Sequence, residues 1–114
     1  MKCSGIVNIL DLIFMKDGFV LNFLWLEKYI AVSLDYAINE RYIPLTKYYF
    51  WPQNDAWEDL KNFLENSKWI SQSESVFLLN KLTEVINYWQ EKDEYDVKSL
   101  QNARSVFPDV RFFS

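Results

Sequence analysis

The spacing of hydrophobic residues along this chain changes from one part to the next, and the changes divide it into elements. Between Tyr29 and Ile38, Ile30, Val32, Leu34, Tyr36 and Ile38 alternate with Ala31, Ser33, Asp35 and Ala37. A period of two predicts a strand with the first set on a core and the second toward solvent. Residues 19–26, FVLNFLWL, are rich in β-branched and aromatic residues and apolar on both faces except at Asn22, which suits a central strand. Glu27-Lys28 joins the two as a tight hairpin. Residues 39–43 read as a loop ended by Pro44. A third strand follows over 46–51, TKYYFW, and stops at Pro52, which has no N–H for a sheet ladder.

Beyond Pro52 the period becomes helical. A helix from Asp55 to Asn66 carries Trp57, Leu60 and Leu64 on one face, with Ala56 and Phe63 beside them. A second opens on Ser71-Gln-Ser-Glu74, the pattern of a capping box. It keeps Val76, Leu79, Leu82, Ile86 and Trp89 in phase to Gln90. Residues 6–15 show Ile6, Ile9, Leu10 and Ile13 at helical spacing, before a turn at Lys16-Asp17-Gly18. After the charged run EKDEYD, residues 97–106 align Val97, Leu100 and Ala103 as a short helix, and Phe112 and Phe113 in the tail need a surface to dock on. The expectation is an α+β fold, a three-stranded antiparallel sheet followed by two helices packed on it. Residues 1–18 form an N-terminal extension, 19–91 the domain and 92–114 a C-terminal tail.

Length and composition narrow what such a domain can do. At 114 residues there is room for one core, and half of the residues are hydrophobic, enough to fill it. The net charge of −4 argues against a broad basic surface for nucleic acid. Residues 1–53 hold five Lys or Arg against five Asp or Glu, while 54–114 hold seven against eleven. An RNA partner therefore meets the neutral first half more readily, helped by selected lysines elsewhere. Cys3 is the single cysteine, which excludes an intrachain disulfide and reads as incidental rather than catalytic. The N-terminal run is too short for a membrane span. It lacks the marks of a secretory signal or an Arg-rich transit peptide, so the chain is expected to work where it is made.

No histidine occurs, which removes the commonest general base and metal ligand. The two glycines cannot form a phosphate-cradling loop, and no calcium-loop pattern is present. No cofactor, metal or small-molecule substrate is expected. Asp55, Glu58 and Asp59 are spaced to share a helix face, as a catalytic carboxylate pair would. Carboxylates in a first turn also cap and stabilise the helix, and that reading is preferred. Strand alternation over Tyr48, Tyr49, Phe50 and Trp51 sends two rings to the core and leaves two for bases or a protein partner. Arg41 and Lys47 flank them as candidate phosphate contacts. Tyr49, Trp51, Gln53, Asn54 and Lys81 complete the candidate contact set, with Lys81 also spaced to pair with Glu84.

Three strings carry a family likeness when read together. They are FLWLEKYIAVSLD at 23–35, PLTKYYFWPQNDAWEDL at 44–60 and LLNKLTEVINYWQE at 78–91, with WIS at 69–71 between the last two. Over residues 19–91 the chain resembles the third plastid-specific protein of the small ribosomal subunit, a family shared by chloroplasts and cyanobacteria. The resemblance implies a structural, non-catalytic component of a chloroplast-type 30S subunit that supports assembly or translation. It implies contacts with small-subunit rRNA and neighbouring ribosomal proteins, and no homo-oligomer. It also implies the plastid stroma as compartment, with a plastid-encoded chain that needs no transit peptide. Gln53 stands where the family often has a basic residue, and the 39–43 loop lacks the glycines expected there. The competing reading is a protein–protein adaptor, anchored by the 48–51 aromatics or by Phe112 and Phe113.

Overall fold

The computed structural model describes residues 18–91 and 99–114. The expected helix at 6–15 and Cys3 lie outside the described residues. The architecture is α+β. Strands β1 (Gly18–Trp25) and β2 (Ile30–Ile38) form a long antiparallel hairpin in which Leu21 faces Leu34, Phe23 faces Val32 and Trp25 faces Ile30. Those six side chains are buried on one face of the sheet. The alternation read from the sequence therefore sets the register, because a slip of one residue would turn all of them outward.

The other side of β2 differs from expectation. Ala31 and Ser33 are as buried as the residues between them, at 1% and 5% exposure. Ser33 lies opposite Asn22, and the Asn22 amide donates to the Ser33 hydroxyl at 3.2 Å. The amide oxygen of Asn22 has no partner among the described residues. A period-two pattern reports only which face is more apolar, and small side chains such as Ala and Ser are accommodated on either.

The sheet is also larger than the three strands expected. The 39–43 segment is not a loop. Asn39 and Glu40 form a two-residue turn, both with positive φ (52° and 64°), and the chain returns as β3 (Arg41–Pro44) along β2. Two left-handed residues in succession match the twist of a hairpin, and asparagine takes that conformation more readily than most residues. After β3 the edge breaks its ladder. Leu45 and Thr46 N–H groups both donate to the Leu34 carbonyl, and the Thr46 hydroxyl accepts from the Leu34 N–H. Pairing resumes in β4 (Tyr49–Trp51) against Ile30–Val32, so the expected strand 46–51 is shortened to its last three residues. This interrupted edge, ending in Pro52, is a poor template for further strands.

Helices α1 (Ala56–Asn66) and α2 (Gln72–Gln90) cover the apolar face. Ala56, Leu60 and Leu64 of α1 are buried, while Trp57 and Phe63 are partly so. On α2 the buried row is Leu78, Leu82, Val85, Ile86 and Trp89, and Val76, expected inside, is exposed on the neighbouring row. The Trp89 indole donates to the Leu26 carbonyl at 2.9 Å, fixing the end of α2 to the first hairpin. The Ser71 hydroxyl accepts from the Glu74 N–H as the capping pattern requires, and the Glu74 carboxylate returns to that hydroxyl.

The segment expected as a tail contributes to the core. A third helix, α3 (Ser99–Val106), leads into β5 (Arg111–Phe113), which lies parallel to β1 on the side away from β2. Phe112 stacks on Phe23 with centroids 5.6 Å apart and meets the edge of Trp25 at 5.5 Å. With Ala103 and Phe107 it is buried in the same hydrophobic cluster as the hairpin and helix residues. Nothing local in residues 92–114 encodes this docking, because its other half lies about 90 residues earlier in β1. The docking surface for Phe112 is thus within the chain.

Candidate functional site

The joint between β4 and α1 gathers most of the candidate residues. It begins with the Thr46 break, which leaves Lys47 exposed at the sheet edge. Strand geometry then decides which aromatics are available. Tyr49 and Trp51, expected at the contact surface, face the helices and pack on the core, with the Trp51 indole nitrogen buried and without a partner among the described residues. Phe50, between them, is on the other face, where it meets the edge of Tyr29 at 5.6 Å. Parity fixes that two rings go each way, but not which two, and the pairing of Trp51 with Ile30 settles it.

Gln53 and Asn54 are exposed in the turn that follows. The Asp55 carboxylate then caps α1, accepting the Glu58 N–H at 3.1 Å, and Glu58 and Asp59 lie in the first helical turn. This explains the carboxylate cluster as a helix start, as the sequence suggested. Among the described residues no group of three or more metal-ligating side chains comes together.

An open groove of about 560 Å³ runs between this strand edge and α1, lined by Lys47, Tyr49, Asp59, Asn62, Phe63, Asn66 and Ser67. The α1 residues recur at the spacing of one helix face, next to the buried row of Ala56, Leu60 and Leu64. Tyr49 and Phe63 also pack on the core, so they supply its base. Burial pushes the Tyr49 phenol above its ordinary pKa of 10.0, and the nearby Asp59 charge adds to the effect. Tyr49 is therefore a hydroxyl donor at any physiological pH. Sequence reading named Lys47 and Tyr49 but missed Asn62, Phe63 and Asn66. The available signal was their helical spacing, masked by the stronger apolar stripe beside it.

The remaining candidates separate by their partners. Lys81, 19% exposed, is held by Glu84 at 3.5 Å and Asp109 at 3.3 Å, and lies over the rings of Phe77 and Phe107. The expected pair with Glu84 is present, but the second carboxylate leaves little charge for an outside phosphate. Arg111 is likewise paired with Asp35 at 3.4 Å and stacked 3.8 Å from the centre of the Tyr42 ring. Lys61 reaches Glu65. Arg41 is exposed on β3, and the side chains of Arg41 and Lys47 make no ion pair among the described residues.

Comparison with known proteins gives the family. Residues 45–92, which include both walls of the groove, match the family model described as plastid and cyanobacterial ribosomal protein (PSRP-3 / Ycf65). A small ribosomal subunit protein cS23 from Euglena stellata is 56% identical over 96 residues, covering 84% of this chain and 95% of that protein. The cS23 of Gracilaria tenuistipitata var. liui is 51% identical over 94 residues, covering 82% and 93%. A probable cS23 from the cyanobacterium Synechococcus sp. (strain JA-3-3Ab) is 44% identical over 92 residues, covering 81% and 91%. With identity this high over nearly the whole length of these relatives, the chain belongs to the PSRP-3/Ycf65 family of plastid and cyanobacterial ribosomal proteins.

Proposed function

We propose that this chain is a structural component of the small subunit of a plastid ribosome, where it contacts the small-subunit RNA and neighbouring ribosomal proteins. The observation that carries the reading is the 56% identity to a small ribosomal subunit protein across 95% of that protein's length. The role is one of binding and support for assembly or translation rather than catalysis. The net charge of −4 makes it an unusual RNA ligand, since phosphate neutralisation dominates most such affinities. A few unpaired cations and apolar contact with protein neighbours carry the attachment instead. Exposed Trp69 and Phe77 are suited to the protein side of it.

The test is sedimentation of a native extract through a density gradient, with this chain followed by antibody. At low salt it cosediments with small subunits, and it is released progressively as salt rises. If it stays at the top of the gradient while small subunits remain intact, the reading fails. The plastid stroma is the compartment, and synthesis there by plastid-encoded message is part of the reading. Pulse labelling of the chain should stop with an inhibitor of bacterial-type ribosomes and continue with an inhibitor of cytosolic ones.

A further inference from the structure

The groove between β4 and α1 has a chemistry of its own. We infer that it holds one unpaired nucleotide of the small-subunit RNA, with the phosphate on Lys47 and an amino-bearing base against Tyr49 and Phe63. The inference rests on the ribosomal reading above and assigns it a site.

Three observations select this place. First, most described cations near aromatic rings are already occupied: Lys61, Lys81 and Arg111 by carboxylates, and Arg104 by the Phe112 carbonyl. Lys47 is an unpaired cation that lines a groove with aromatic residues at its base, whereas the groove lined by Lys68 has only aliphatic ones among the described residues. Second, the side chains of Asn62 and Asn66, four residues apart on α1, make no hydrogen bond among the described residues. Amides offer both donors and acceptors and can read a base edge. Third, the volume of about 560 Å³ is in the range of small-ligand sites, and its lining mixes ring faces with polar groups, as a nucleotide requires.

Asp59 sharpens the class of base. A carboxylate only accepts hydrogen bonds, so it favours adenine, cytosine or guanine, whose exocyclic amines donate, over uracil, whose single N3–H donor is flanked by two carbonyl oxygens that the carboxylate repels. The Tyr49 hydroxyl, kept protonated beside Asp59, adds one donor for a base carbonyl or a phosphate oxygen. A paired nucleotide is excluded because its ring faces are already stacked.

The test uses small subunits freed of this chain by a high-salt wash, rebound with purified full-length protein over a series of salt concentrations. A phosphate contact to single-stranded RNA contributes about 0.7 to the slope of log affinity against log salt. Lys47→Gln is expected to lower that slope by about 0.7, and Asn62→Ala with Asn66→Ala to weaken binding roughly tenfold. Lys68→Gln, an unpaired cation outside the groove, should leave the groove's adducts unchanged. Ultraviolet crosslinking of the rebound subunits should join residues 47–49 or 59–67 to A, C or G. If wild-type protein rebinds but Lys47→Gln matches its slope, or the groove crosslinks to a protein peptide, the groove assignment is wrong and the ribosomal reading stands. If wild-type protein does not rejoin the subunits at all, both fall.

Discussion

Lys81 and Lys47 both sit beside aromatic rings and carboxylates, and their circumstances are opposite. Lys81 bridges Glu84 and Asp109 and lies over Phe77 and Phe107, so it ties α2 to the segment between α3 and β5. Lys47 lines a groove with Tyr49 and Asp59 and is bound by none of the described carboxylates. In sequence the two look alike, each a cation one or two residues from apolar neighbours. What separates them is distance in space. Asp109 is 28 residues beyond Lys81, whereas the α1 side of the groove opposite Lys47 offers Asn62, Asn66 and an Asp59 that makes no ion pair with it. An ion's availability is set by what the fold brings to it.

The largest way to break the contrast is to remove the surface on which Lys81 rests. Phe107→Ala is expected to cost about 3–5 kcal/mol in chemical denaturation, as a buried aromatic whose cavity cannot refill. The groove should lose nothing beyond that global effect. Next comes the frame of the groove itself. Asp55→Ala removes the cap of α1 and should cost about 1 kcal/mol. Asp55→Asn should recover most of it, because the amide oxygen can accept the same Glu58 N–H.

The direct comparison is smaller. Lys81→Gln should destabilise by about 0.5–1 kcal/mol, because two partly exposed carboxylates lose one partner. Lys47→Gln should stay within about 0.5 kcal/mol of wild type, since nothing within the fold depends on it. If Lys47→Gln proves the more destabilising, the division between a structural and a free lysine is wrong. The finest probe is pH. Tyr49 holds its proton more tightly folded than unfolded, so its contribution is constant below pH 10 and is lost as pH rises from there through the raised folded value. Tyr49→Phe should make the alkaline fall in stability shallower, and an unchanged profile would remove burial of the phenol from the description of the groove.

How much of this was legible depends on the range over which each feature is encoded. The β1–β2 hairpin, both helix starts and the helical spacing over 55–90 are local, and they stand in the fold within a residue or two of where the pattern puts them. The turn at Asn39-Glu40 is local too, yet it escaped notice because Glu40 takes a conformation normally signalled by glycine. Which of the four rings over 48–51 turn toward the helices was hidden for a different reason. Alternation is blind to absolute direction until a partner strand is known, and that partner is Ile30–Val32. The fifth strand and the second carboxylate on Lys81, that of Asp109, were not legible at all, since each joins residues distant in sequence. Half of the groove was visible as Lys47 and Tyr49, and the other half was hidden behind the apolar row of α1.

The parallel pairing of β5 with β1 also sets a schedule. One edge of the central strand meets its neighbour β2 almost as soon as it is made, but the other must wait for Arg111–Phe113. At ~5–20 residues per second that wait is on the order of ten seconds. For that time Phe23 and Trp25 lack the ring that will cover them, while the rest of the sheet can already form. A nascent chain of this protein is thus a nearly finished domain with one open seam. A chaperone or the ribosome's own surface would have to guard that seam until synthesis reaches it.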